Sequence, residues 1–397
     1  MSGRVRISDD QRRARLAVRH GLAPGHHLPT VADAAAAVGA LHATEPASVH
    51  LAALARTGAD LGTIDAALYD ERSVVKQLAM RRTVFAFPRA LLPAVWGSAA
   101  ARVASQQRRQ LARQVVEAGI ATDGAVWVRE TTEAVLAALR EHGPMTTAQL
   151  REMLPALDSR LTYAEGKSYA ATTPIAPRVL TTLAASGAVL RGANEGGWKL
   201  SRPRWTLAGD WLGEQPEPLD ERAGYAVLVE AWLRSFGPGT EADLEWWLGA
   251  TRSAVRRALA DVGAVEVDLD GGAVGVVLPD DVDPVGPPGR WAALLPALDP
   301  TTMGWKQRDF YLGPHAALLF DRNGNGGPTA WVDGRIVGGW TQKDDGQVVV
   351  VACAEVDRAG QRLLDDQADR LTSWLSGDVV RSIYQSPLVR SGSSSST

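Results

Sequence analysis

The chain has 397 residues, 45% hydrophobic and 22% charged, which is more than one hydrophobic core accommodates and is ordinary for a soluble globular protein. A net charge of −3 argues against bulk nucleic-acid coating, and the lack of a long apolar run argues against a membrane span. The N-terminus "MSGRVRISDDQRRARLAVRH" has no apolar signal core, so the cytoplasm is expected, and the single cysteine, Cys353, excludes an internal disulfide or a cysteine-built metal cluster.

In chain order, the first predicted helix is "SDDQRRARLAVRHGL", opened by Ser8 and Asp9, followed by "TVADAAAAVGAL" and "EPASVHLAALART" with Pro46 at its first position. Between the last two stands "LHATE". If extended there, His42 and Thr44 point the same way, so an imidazole and a hydroxyl can share one pocket. Their alternative role is to satisfy backbone groups in a turn. "DLGTIDAALYDERSVVKQLAMRRTVFAFP" adds a helix and an apolar strand pair. One long basic helix, "RALLPAVWGSAAARVASQQRRQLARQVVEAG", then leads onward.

An internal repeat follows. "LREHGPMTTAQL" (Leu139 to Leu150) aligns without gaps to "LRSFGPGTEADL" (Leu233 to Leu244). Each copy sits after an amphipathic helix that Gly-Pro stops at Gly143 or Gly237, glycine taking the left-handed cap. Thr146 and Thr240 are predicted N-caps of a short second helix. A third helix comes next, "APRVLTTLAASG" or "TRSAVRRALADVG", and then a hairpin, "AVLRGANEGGWKLSRPRW" or "AVEVDLDGGAVGVVL". Helix, turn, helix, helix and two-stranded wing describe a winged helix-turn-helix, and the N-terminal part reads as a third, degenerate copy. Such units contact DNA or other proteins.

From Gly289 the pattern turns to strands: "WAALLPALDP", "HAALLFD", "PTAWVDGRIVGGWTQ" and "QVVVVACAEV", with Asp333-Gly334 as a hairpin turn. One helix, "RAGQRLLDDQADRLTSWLSG", closes the region. Cys353 reads as a buried strand residue and "DRNGNGGP" as a tight glycine turn, since it lacks the spaced carboxylates of a calcium loop. The expected fold class is α+β: three tandem winged units followed by a strand-rich, barrel-like domain. Boundaries fall at 1–115, 116–215, 216–288 and 289–390, with a disordered tail at 391–397.

No phosphate-binding glycine loop, nucleophile elbow or His-Glu-x-x-His motif is present. His26 and His27 are adjacent but lack a further metal ligand. Trp246 and Trp247 read as core. Apart from Lys76, Lys167, Lys199, Lys306 and Lys343 the basic residues are arginines, which suit phosphate contact and also follow from GC-rich coding. Three sets are placed for DNA: Arg252, Arg256 and Arg257 on the last third helix; Arg81 and Arg82 before a strand; Arg108, Arg109 and Arg113 on the long helix. Solvated helix faces are the competing reading.

The segments "LHATEPASVHLAALAR", "MRRTVFAFP", "LLPALDPTTMGWKQRDFYLG", "LFDRNGNGGPTAWVDGRIVGGW" and "SPLVR" resemble the AlkZ/YcaQ family of bacterial DNA glycosylases, winged-helix proteins that remove bulky or cationic N7-alkylated purines. The resemblance implies a C-shaped molecule with DNA in a basic channel, joined there by Lys306 and Arg308. It also implies a catalytic Gln-x-Gln or Gln-x-Asp, for which this sequence has His42 and Thr44. A neutral imidazole can accept from water as a weak base, Thr44 can hold the same water, and Glu45 adds a carboxylate that favours a cationic sugar. The expected protein is then a monofunctional glycosylase, a monomer acting on double-stranded DNA containing alkylated purines, with no membrane, metal or cofactor. The alternatives are a noncatalytic regulator or lesion sensor that binds DNA, and a scaffold whose winged units bind protein.

Overall fold

The computed structural model describes residues 3–163, 171–214 and 216–393. The fold is α+β, with many helices and several small open sheets. Packing groups the chain into two compact units, each drawn from separated stretches: Met1–Val75, Phe85–Leu91 and Tyr225–Thr397 in the first, Lys76–Val84 and Leu92–Gly224 in the second.

In the first unit, helices start where the sequence supplies caps. The Ser8 hydroxyl accepts from the Gln11 amide to open Asp9–Arg19, Thr30 does the same for Val31–Ala37, and Pro46 begins Pro46–Thr57. Gly58, at φ 71°, closes that last helix in the left-handed conformation. The later repeat copy gives Glu221–Phe236, Glu241–Leu248 and Arg252–Asp261, then the hairpin Val265–Leu269 with Val274–Val277. A third strand joins it: Arg6–Ile7 pairs in parallel with Val265–Leu269.

The strands after Gly289 form an antiparallel meander in the order Ala292–Leu295, Thr329–Val332, Arg335–Gln342, Val348–Ala352. Asp333 and Gly334, both at positive φ, make the expected tight turn. The sheet is open, which corrects the barrel-like expectation: four strands are too few to close, and the Arg358–Leu375 helix packs on the sheet instead, burying Leu364, Ala368, Leu371 and Leu375. Cys353 lies one residue past the last strand and is half-buried, not a buried strand residue. Asp321 organises "DRNGNGGP" as a turn by accepting from the Asn323 and Asn325 amides. Residues 391–393 end the short Pro387–Ser393 helix, so the expected disordered tail does not begin there. The rest of that tail, 394–397, is outside the described residues.

Deep in this unit Arg56 and Asp299 form a bidentate ion pair, at 2.7 and 2.9 Å, with both side chains fully buried. Arg56 also donates to the Ala52 carbonyl and to Thr301 Oγ1. The Thr301 hydroxyl meets His20 Nδ1 at 2.8 Å, and His20 Nε2 donates to the Ser235 carbonyl at 3.0 Å. Burial, helped by the Arg56 charge, pushes His20 down to about 3.

The second unit holds the earlier repeat copy: Gly124–His142, Thr147–Met153, Ala176–Ala185, and the hairpin Val189–Asn194 with Pro203–Leu207. An additional pair of short strands, Arg160–Tyr163 and Ala171–Pro174, separates its second and third helices. Thr146 here and Thr240 in the first unit close reciprocal capping boxes with Gln149 and Asp243. Neither Gly143 nor Gly237 takes the expected left-handed cap: Gly143 has positive φ (73°) but ψ −158°, and Gly237 lacks positive φ, a Cβ there lying 2.5 Å from the Leu233 carbonyl oxygen. The long basic helix is in fact two, Leu92–Gly97 and Ala99–Glu117, broken at Ser98 (φ −128°, ψ −93°). At Gly97 a Cβ would sit 1.9 Å from the Leu219 carbonyl, so close backbone approach dictates the glycine.

Two outcomes follow. Asp299→Ala strands a buried guanidinium and lowers stability by about 3–5 kcal/mol, whereas the joint change to Arg56→Met and Asp299→Leu costs much less, both read by urea unfolding of the full chain. His20 is neutral when folded and takes a proton below 6.5 when unfolded. Its contribution is therefore intact above pH 6.5 and is lost on acidification toward about 3, by about 1.4 kcal/mol per pH unit. In His20→Asn, unfolding measured across that range loses this slope.

Candidate active site and nucleic-acid interface

The segment around His42 is positioned by a minimal strand. Leu41–His42 pairs antiparallel with Thr83–Pro88, Leu41 opposite Ala86 and His42 opposite Phe85. Leu41 is wholly buried, which fixes the register. The His42 ring is only 7% exposed and sets its edge against Phe85, centroids 5.2 Å apart. Thr44 is exposed. The two residues do meet, through the Thr44 backbone amide, which donates to His42 Nδ1 at 3.4 Å. Strand alternation lapses after His42, so the imidazole folds inward while the threonine faces out. With Nδ1 accepting, a neutral ring would carry its proton on Nε2.

Glu45 occupies the N-cap position of the Pro46–Thr57 helix without capping it. Its carboxylate turns instead to a segment more than 300 residues away: Oε1 accepts from the Ile383 amide at 2.8 Å and Oε2 from the Ser382 hydroxyl at 2.9 Å. Ser48 Oγ lies 3.2 Å from Oε2 and donates to the Ala297 carbonyl at 2.8 Å. Burial raises the Glu45 pKa, against these hydrogen bonds, which lower it. Glu45 and Ser48 also line a small open pocket with Leu51, Ala297, Trp340 and Ser382. Sequence reasoning placed Glu45 beside the motif but missed Ser382 and Ile383, for which no local pattern exists.

The arginines divide sharply. Arg252 and Arg256 are exposed but engaged by carboxylates of the preceding helix: Arg252 with Glu245 at 2.9 Å and Glu241 at 3.3 Å, Arg256 with Glu241 at 3.0 Å. The signal was in the sequence, because Glu241 and Glu245 have the same i, i+4 spacing as Arg252 and Arg256. Arg257 is exposed with no ion pair among the described residues. On the Ala99–Glu117 helix, Arg102, Arg108, Arg109 and Arg113 are all exposed, and none has an ion-pair partner among the described residues. Arg102 was not anticipated. Arg81 and Arg82 are exposed at positive φ in the turn before Thr83–Pro88.

Lys306 is exposed, and its amide and that of Gln307 donate to buried Asp243. Arg308 is half-buried: it donates to the Trp305 carbonyl and stacks near Trp246 and Phe320, so it serves the local packing. Trp247 is core as expected, and Trp246 is half-buried. Among the described residues no group of His, Cys, Asp and Glu could hold a metal ion, and no helix is long and apolar enough to cross a membrane.

Helices and several small open sheets define a mixed α+β protein. The comparisons narrow that class. The sequence model of the AlkZ-like DNA glycosylase family matches residues 35–374, and the chain belongs to that family. Among solved structures, the Streptomyces sahachiroi DNA glycosylase AlkZ superposes with a TM-score of 0.73 at 22% identity, covering 95% of this chain and 98% of that one. That likeness establishes the fold. No curated protein matches the sequence.

The Glu45 contacts give a direct test. In Glu45→Ala the Ile383 amide exchanges with solvent about ten- to hundredfold faster, while Glu45→Gln, which keeps an acceptor, shows a smaller change. Amide hydrogen exchange read by mass spectrometry on the C-terminal peptide measures both; equal exchange in all three proteins would show that the carboxylate does not hold the segment.

Proposed function

We propose that this protein is a monofunctional DNA glycosylase that hydrolyses the N-glycosidic bond of N7-alkylated, cationic purines, acting as a cytoplasmic monomer on double-stranded DNA. The family match across residues 35–374, which spans His42 and Thr44, carries the reading. The three helix-and-hairpin stretches, within 1–115, 116–215 and 216–288, are taken as winged helix-turn-helix units that hold the duplex, with 289–390 as the C-terminal domain.

The chemistry asks little of the protein. An N7-alkylated purine already carries positive charge. When the bond from the sugar carbon to N9 breaks, its electron pair neutralises that charge, so the leaving base needs no proton. Water then adds to the oxocarbenium-like sugar carbon and its surplus proton goes to solvent. The residues need only place that water. His42, proton on Nε2, orients the water by donation, and Thr44 supplies an exposed hydroxyl. The weak-base role expected for His42 is set aside, because Nδ1 already accepts the Thr44 amide. Glu45 is taken to position the motif, since its carboxylate is held by Ser382 and Ile383.

DNA contact is assigned first to Arg102, Arg108, Arg109 and Arg113, with Arg81, Arg82, Arg257 and Lys306 as further candidates. Arg252 and Arg256 rank below them because Glu241 and Glu245 offset their charge, and Arg308 because it is packed inward. The second reading, a noncatalytic DNA binder, is favoured by the near-complete burial of the His42 ring.

Incubation with duplex containing N7-methylguanine separates the two readings. Base release that falls about a hundredfold in His42→Ala supports hydrolysis; salt-dependent binding with no release leaves the binder. Removing a phosphate-contacting arginine such as Arg109 by Arg109→Ala reduces the slope of log affinity against log salt by about 0.9, and Arg252→Ala leaves it unchanged. Titrations at several salt concentrations read this out.

A further inference from the structure

Ile383 is the outlier of the surface. Its side chain is 80% exposed, whereas the next most exposed large apolar side chains among the described residues, Val5 and Leu200, stand at 48%. Its chain neighbours are not exposed apolar groups: Arg381 before it is charged and paired with Asp344, and Ser382 and Tyr384 on either side are half-buried. A protein partner needs roughly 800 Å² on each side of a stable interface. One protruding isoleucine offers far less.

The backbone beneath it is nevertheless tied down. The Ile383 amide donates to Glu45 Oε1, the Ser382 hydroxyl donates to Glu45 Oε2, and the Tyr384 amide donates to Ser382 Oγ. Through Glu45 this turn is bound to the residue that directly follows exposed Thr44. A β-branched side chain is stiff about its first torsion, so its direction is set once the backbone is held. An exposed apolar protrusion on a hydrogen-bonded backbone beside the motif has the form of the side chains that proteins insert between base steps to unstack them.

We propose that Ile383 is such a wedge: it enters the base stack next to the damaged nucleotide and opens the step that the His42–Thr44 segment must reach. This rests on the glycosylase reading for its target. Glu45 then acts as a positioning residue, holding the wedge and the motif in one register. Unstacking a step exposes the sugar carbon to the ordered water without requiring the base to be drawn into a pocket.

The test uses the full chain and a duplex with 2-aminopurine beside an N7-methylguanine, read by fluorescence and, in parallel, by base release. The wild type and Ile383→Leu raise 2-aminopurine fluorescence several-fold on binding, and Ile383→Ala, at protein concentrations that saturate the duplex, does not. Its single-turnover release falls at least tenfold. Release by the wild type with no fluorescence rise, or equal signals from the wild type and Ile383→Ala, overturns the wedge and leaves the glycosylase standing. A fluorescence rise lost in Ile383→Ala with no release by the wild type supports the wedge and sinks the chemistry. Absence of DNA binding overturns both, and a dimer that Ile383→Ala converts to monomer overturns the wedge, assigning the side chain to a contact between copies.

Discussion

Arg56 and Asp299 meet inside an apolar core with neither side chain exposed, so each charge depends on the other and on the groups arrayed about them. Arg56 lies in the last turn of the Pro46–Thr57 helix, and Asp299 caps the start of the short Pro300–Met303 helix by accepting from the Thr301 amide. A cation at a helix end and an anion at a helix start both complement the backbone dipoles. Thr301 extends the network to neutral His20 and so to Ser235. Four stretches far apart in sequence are joined by one set of directional bonds. Apolar packing alone tolerates sliding; this arrangement does not, because any slip leaves a buried charge unmatched.

The helix so anchored is the one whose first turn follows the His42–Thr44 segment. Its far end is fixed by Arg56, and its near end is fixed by Glu45 and Ser48, which reach the Ser382–Ile383 turn and the Ala297 carbonyl. Ala297 precedes Asp299 by two residues, so the same "PALDP" stretch secures both ends of the helix. Asp243 plays a similar part elsewhere in this unit, closing the Thr240 capping box with one oxygen and accepting the Lys306 and Gln307 amides with the other. Buried carboxylates thus set the geometry that the apolar core then fills.

What was legible in the sequence was whatever local chemistry dictates. Ser8, Thr146 and Thr240 announce helix starts because each satisfies an otherwise orphan amide within three residues, and Asp333-Gly334 announces a hairpin because both positions take positive φ. Arg6–Ile7 and Leu41–His42 stayed hidden since two residues carry no periodicity. The crowding of Gly97 by the Leu219 backbone, one residue before the break at Ser98, and the half-buried state of Cys353 past the strand's end are not contained in the local pattern. At His42 and Thr44 the direction of each side chain was not readable. It depends on Phe85 and on a turn near the C-terminus. The neutralisation of Arg252 and Arg256 was encoded, in the matched spacing of Glu241 and Glu245, but only a reading of facing helices brings the two patterns together.

Under the proposed chemistry, histidine and threonine at 42 and 44, where the resemblance implies Gln-x-Gln or Gln-x-Asp, have a consistent physical logic. Glutamine offers a donor and an acceptor to water from one flexible side chain. The Thr44 amide donates to His42 Nδ1, which for a neutral ring would favour the tautomer with its proton on the other nitrogen. Rigidity replaces versatility: a ring braced by Phe85 and by its own neighbour loses little freedom when it orders a water. Such a site suits a leaving group that departs without assistance and would serve poorly for an uncharged purine, whose departure needs a proton. Glu45, with its pKa raised by burial, is the nearby carboxyl group that the motif offers, and its oxygens are spent on Ile383 and Ser382. Under the proposed chemistry, the positive charge carried by the damaged base itself is what the reaction runs on.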